Sequence, residues 1–187
     1  MSLCLSPNTR RLLQLGVVSL SLISGLALAS GGGDGYRKND KTKLAPDCAQ
    51  GQVWNSAEAS CGDLHSSALS DSDRTAYAYR LARAGRYQEA LALLDTLRQP
   101  NTAEALNYRG YATRKLGRTD EGITYYLKSV QLDPHYAKVR EYLGEAYVIK
   151  GRMDLAHEQL QSIQGLCGTA CEEYRDLAEA IAHPQSL

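Results

Sequence analysis

The chain has 187 residues, with 21 Lys+Arg against 21 Asp+Glu and a formal charge of zero. That length supports one domain or a short repeat array with its own core. The balance of charge excludes a polycation that would hold nucleic acid or anionic lipid by charge alone.

The N-terminal stretch reads as a leader. Arg10 and Arg11 precede the apolar run "LLQLGVVSLSLISGLALA", which ends in Ala27-Leu28-Ala29. A basic start, an apolar middle and small residues at the end predict a signal peptide over residues 1–29, with cleavage after Ala29. The alternative is a retained anchor, for which the serines and glycines make a poor span. Removing 29 of 187 residues leaves 158, and losing Arg10 and Arg11 leaves 19 basic against 21 acidic residues, a charge of −2. The expectation is a periplasmic protein, with no membrane contact after cleavage and no nucleic-acid partner.

Cys4 departs with the leader, and Cys48, Cys61, Cys167 and Cys171 remain. An even number of cysteines in an exported chain predicts disulfides. Twelve residues separate the first two and three separate the last two, which is not a zinc-ribbon spacing. No metal ligand set and no cofactor is predicted. A C-x3-C pair also lacks the spacing of a thioredoxin-like redox motif, although a thiol-active role remains the alternative for Cys167 and Cys171.

Residues 30–47, "SGGGDGYRKNDKTKLAPD", have too little apolar content to offset the entropy of ordering and read as a flexible linker. The segment 48–69 follows. Gln52-Val53-Trp54 is β-like, "NSAEAS" is turn-like, and a Cys48–Cys61 bridge would close a small hairpin with a gain of ~3 kcal/mol. Trp54 is expected to pack against it.

From about Ser70 apolar residues recur at three- and four-residue steps, and one phrase repeats. "LARAGRYQEALALL", "ATRKLGRTDEGITYY" and "AYVIKGRMDLAHEQL" each place Gly-Arg between two helical patterns, at Gly85, Gly117 and Gly151, spaced 32 and 34 residues apart. Such a period predicts a solenoid of helix pairs. In the middle unit helices are expected over 103–116 and 119–132, the second ended by Asp133-Pro134. Ile123, Tyr126, Leu127 and Val130 form its expected apolar stripe, and Lys115, Arg118 and Lys128 are expected in solvent.

The segment 103–136 resembles a tetratricopeptide repeat, with Gly110, Gly122, Tyr126 and Pro134 at the pattern positions. In register, 137–170 offers Gly144, Tyr147, Ala156 and Leu160, while 71–102 offers Ala78, Leu81, Ala90 and Leu94. Arg109 and Thr113 depart from the pattern, Arg109 being expected to lay its stem on the core. After the third unit, Tyr174, Leu177, Ala178 and Ile181 make one apolar stripe over 171–183, as expected of a capping helix. The fold class is therefore all-α, a helix-pair solenoid over 70–184 preceded by linker and hairpin.

The resemblance implies a non-catalytic scaffold that binds a protein or peptide on the concave face of its first helices. That face would hold Thr75, Tyr79, Asn107, Tyr108, Tyr111, Arg114, Lys138, Glu141, Tyr142 and Glu145. Tyr79 and Tyr111 are the expected open tyrosines, whereas Tyr126 and Tyr147 serve the core. The clamp that grips a peptide carboxylate in some relatives would need Lys and Asn where this chain has Thr75, Tyr79, Tyr108, Lys138 and Tyr142, and only Lys138 fits. A homo-oligomer stacked through an uncapped first repeat is the structural alternative, opposed by Arg74 and Arg80 on that end.

Overall fold

The computed structural model describes residues 47–187. The leader, and the linker up to residue 46, lie outside the described residues. Among the described residues no helix is long and apolar enough to cross a membrane.

The described residues open with an antiparallel hairpin of β1 (Gln52–Asn55) and β2 (Ser60–Asp63), in which Trp54 faces Cys61. The Asn55 side chain shapes the turn by accepting from the backbone N–H groups of Ala57 and Glu58. The Cys48–Cys61 disulfide closes the loop with its Cα atoms 5.7 Å apart. Trp54 is half-buried against the core, as its expected packing requires.

Seven helices follow: α1 (Asp71–Arg83), α2 (Tyr87–Leu94), α3 (Ala103–Lys115), α4 (Thr119–Leu132), α5 (Ala137–Ile149), α6 (Met153–Cys167) and α7 (Glu172–Ala182). Side-chain oxygens of Ser70 and Thr102 cap α1 and α3 by accepting from the N–H groups of Asp73 and Ala105. The repeated Gly-Arg phrase has a backbone cause. Gly85, Gly117 and Gly151 take φ of 79°, 84° and 70°, a left-handed geometry that favours glycine. The next arginine then donates its N–H back to Leu81, Thr113 or Tyr147, closing the helix carbonyls. Each pair of helices is thereby folded back on itself at the same place.

The hairpin corrects one expectation. Arg74 and Arg80 do not stand on a bare first repeat. Arg74 is buried and donates to the carbonyls of Leu64 and Ser66 and to Thr96 Oγ1. Arg80 pairs with Asp47 at 3.0 Å. Tyr77 Oη accepts from Cys48 N at 2.6 Å, and Val53 and Leu69 join the helical core. The hairpin thus covers the first helix pair, because its own few apolar groups can only be buried there.

The stripe of α4 also differs from expectation. Gly122, Tyr126 and Ser129 are buried, Ile123 and Val130 are half-buried, and Leu127 is 48% exposed. The helix is rotated so that Tyr126 lies against Gly110. Ser129 tolerates burial because its hydroxyl donates to Ala103 O at 2.6 Å. Lys115, Arg118 and Lys128 are exposed, although Arg118 pairs with Glu121 at 2.8 Å. Arg109 keeps its guanidinium at the edge, paired with Asp95 at 2.6 Å.

At the far end α7 packs on α5 and α6, burying Leu177 and Ala180. Gly144 makes this possible, since a Cβ there would stand 2.5 Å from Leu177 Cδ2. α6 ends at Cys167, Gly168 turns the chain with φ of 79°, and Cys171 is bonded to Cys167 at the entry to α7.

Candidate inner-face binding surface

α1, α3 and α5 are the first helices of the three units, and their shared face brings the predicted residues together. Tyr79 and Tyr108 stack with ring centres 4.4 Å apart, and Tyr111 meets Tyr142 at 4.9 Å. The Tyr79 and Tyr142 hydroxyls are 3.1 Å apart. Asn107 donates to Tyr136 Oη at 3.1 Å. Arg114 pairs with Glu145 and donates to Tyr126 Oη at 3.3 Å, with its guanidinium over the rings of Tyr111 and Tyr142.

The residues meet, but most do not line an open groove. Thr75, Tyr79, Asn107, Tyr111, Arg114, Glu141 and Tyr142 are buried, and only Tyr108, Lys138 and Glu145 are half-buried. The expectation that Tyr79 and Tyr111 stand open is therefore corrected. The chain has 12 Tyr and no Phe, so tyrosines must fill the space between inner helices. The Tyr79 and Tyr142 hydroxyls partner each other, Tyr108 donates to Glu104 and Tyr111 accepts from Arg83. Burial pushes the Tyr79 phenol up to about 12 despite its bond to Tyr142. The inner face is a tyrosine-packed floor with a charged rim.

One part of that rim comes from a helix the sequence reading treated only as a cap. Lys138 lies 3.1 Å from Glu141 and 3.8 Å from Glu172 of α7. Burial works against the charge on Lys138, but Glu141 and its neighbours outweigh this and hold it above its ordinary value. Glu141 is pushed up to about 8 by burial, against the pull of Lys138. Asp176, also on α7, is raised by burial and sits in the same field. Only the docking of α7 on α5 through Leu177 and Gly144 brings these acids here. The charged back of that stripe was the one available signal.

The remaining cysteines offer no ligand set. The Cys167 and Cys171 sulfurs and a Glu173 oxygen lie within 4.8 Å of one another, but the sulfurs are bonded together, and a metal takes the thiolate. Leu132 on α4 and Ile149 at the end of α5 are exposed apolar side chains, and Leu127, expected in the stripe of α4, is exposed with them.

Compared with curated proteins, the chain finds no match. A family model for the tetratricopeptide repeat matches residues 76–137 and 114–170, together just over half of the chain. The match runs from within α1 to the junction before α7, over the three helix pairs joined by Gly-Arg turns. With that match, and with Gly110 and Gly144 receiving Tyr126 and Leu177 at the crossings, this chain belongs to the tetratricopeptide repeat family.

Proposed function

We propose that the protein is a non-catalytic adaptor that binds a protein or peptide in a bacterial cell envelope. Repeats of this family mediate contacts between proteins. The observation that carries the reading is the inner face itself. Its floor is locked by ring stacking and the Tyr79–Tyr142 contact, and its rim offers Tyr108, Lys138, Glu145 and Glu172. A surface already ordered meets a partner with little entropy left to lose. The leader-like residues 1–29 and the paired cysteines support export to an oxidising periplasm.

The test is photo-crosslinking in cells from position 108, with exposed Glu121 on α4 as the control position. A discrete foreign protein trapped from 108 and not from 121 is the expected result. No specific product from 108 would sink the adaptor reading.

Exposed Leu127 and Leu132 favour a second reading, self-association through the outer face of α4. Hairpin and α7 cover the two ends of the array, which leaves that face, not end-to-end stacking, as its route. A mass that rises with concentration and falls back in Leu127→Ser with Leu132→Ser would support it.

A further inference from the structure

The inner rim is most acidic where α5 meets α7. Glu141 and Glu145 of α5 and Glu172 and Asp176 of α7 act on one another there. Arg114 holds Glu145, while Lys138 lies 3.1 Å from Glu141 and 3.8 Å from Glu172. Asp176 makes no ion pair among the described residues, and Lys138 and Arg175 act on it only from further off.

The cations in place leave these acids under strain. Glu141 is 2% exposed, and its Oε2, although close to Lys138 Nζ, accepts no hydrogen bond. Burial first, and then Glu145 and Asp176, push its carboxyl up to about 8 against the pull of Lys138. A basic side chain brought to this rim would offer N–H donors to Asp176 and relieve the repulsion among its neighbours.

The chain carries such side chains just before its first described residue. Residues 47–187 hold 15 Lys+Arg against 19 Asp+Glu, whereas residues 34–46 hold four, Arg37, Lys38, Lys41 and Lys43, against two. The formal charges of the two parts are thus −4 and +2. Asp47 is fixed at α1, the first inner helix, where it pairs with Arg80 and Cys48 N donates to Tyr77 Oη. From α1 across α3 and α5 to α7 is about 24–30 Å, since packed helices lie about 8–10 Å apart. An extended chain rises about 3.3 Å per residue, so about seven to nine residues cover that distance. Counting back from Asp47, Lys41 comes level with α5 and Lys38 with α7.

We propose that the inner rim binds the chain's own residues 37–43, with Lys38 on Asp176 and Lys41 on Glu141 and Glu145. Sign of charge, the place where the chain reaches α1 and the span to α7 all meet in this one occupant. A partner of the adaptor then has to displace the segment, and its apparent affinity is lowered by the fraction of chains whose rim is covered. The occupancy goes beyond the adaptor reading and stands or falls without it.

The test is photo-crosslinking within the purified full chain from position 39, between the two lysines, with the links mapped by mass spectrometry. Links into α5 and α7, and none into α4 on the outer face, are the expected result. Lys38→Gln with Lys41→Gln should cut their yield about fivefold, and about 0.5 M sodium chloride should do the same, because part-exposed ion pairs are individually weak and screened by salt. Asp176→Asn should cut the α7 links and spare those to α5. No links, links spread evenly onto α4, or a yield that neither the lysine variant nor salt changes overturns the proposal. So do links between chains in a mixture of isotope-labelled and unlabelled protein, which would place the segment on a second copy. In cells, the Lys38→Gln, Lys41→Gln chain should trap more partner from position 108 than the natural chain, and equal trapping would overturn the competition. No partner trapped from either chain removes the adaptor alone, since the links from position 39 decide the segment by themselves.

Discussion

Tyr79 of α1 and Tyr142 of α5, 63 residues apart, meet hydroxyl to hydroxyl at 3.1 Å beneath the inner face. The pair ties the first helix pair directly to the third. Removing the Tyr79 hydroxyl leaves that of Tyr142 buried without this partner, a cost of about 1–3 kcal/mol. Removing both leaves no orphan. Tyr79→Phe and Tyr142→Phe should each lower the urea midpoint, and the double variant should lose less than the two singles together, by about 1 kcal/mol. Strict additivity would show that the contact does not couple the repeats.

Gly110 and Gly165 are both helical glycines, with opposite expectations. A Cβ on Gly110 would stand 2.6 Å from Tyr126 Cε1 and 3.1 Å from Gly122 O, whereas one on Gly165 meets nothing within 4 Å. Gly110→Ala should destabilise by about 1–3 kcal/mol despite its better helix propensity. Gly165→Ala should stabilise by about 0.5–1 kcal/mol. Thermal unfolding of the two variants side by side checks both signs.

Thr113 is fully buried in α3, and its hydroxyl has no hydrogen-bond partner among the described residues. Valine keeps the shape and removes the unsatisfied group. Thr113→Val is expected to raise stability by about 1 kcal/mol in urea unfolding. A loss of stability would mean that the hydroxyl is satisfied after all.

Glu141 sets a pH dependence. Its folded value, about 8, lies above the ordinary 4.5. Between those values the folded chain holds more protons than the unfolded one, so this contribution is full below about 4.5 and is lost as pH rises through about 8. Asp176, raised in the same field, acts in the same direction. Stability measured from pH 5 to pH 8.5 should fall more steeply in the natural chain than in Glu141→Gln, whose amide does not titrate. Parallel slopes for the two would remove Glu141 as the cause.

Much of the fold was legible in local patterns. Glycine at 85, 117 and 151 marks three left-handed turns, which need only the backbone to explain them. Three- and four-residue periodicity placed α4 over Thr119–Leu132, and the family pattern picked out Gly110 and Tyr126, which touch. Part of the inner face was legible as positions too, since Thr75, Asn107 and Glu141 stand at one place in successive units and Tyr79, Tyr111 and Glu145 at another.

Their exposure was not legible. Whether Tyr79 faces a partner or another tyrosine depends on how closely α1, α3 and α5 approach, a distance set by contacts 30 to 60 residues apart that no local period encodes. Arg74 shows the same limit, because only the folded hairpin supplies the Leu64 and Ser66 carbonyls that bury it. Glu172 joins Lys138 only because Leu177 fits over Gly144. By itself the sequence determined helices, turns and repeat register, since each follows from interactions within one unit. Tertiary structure decided which polar groups are core and which are surface, because burial depends on what the neighbouring units bring.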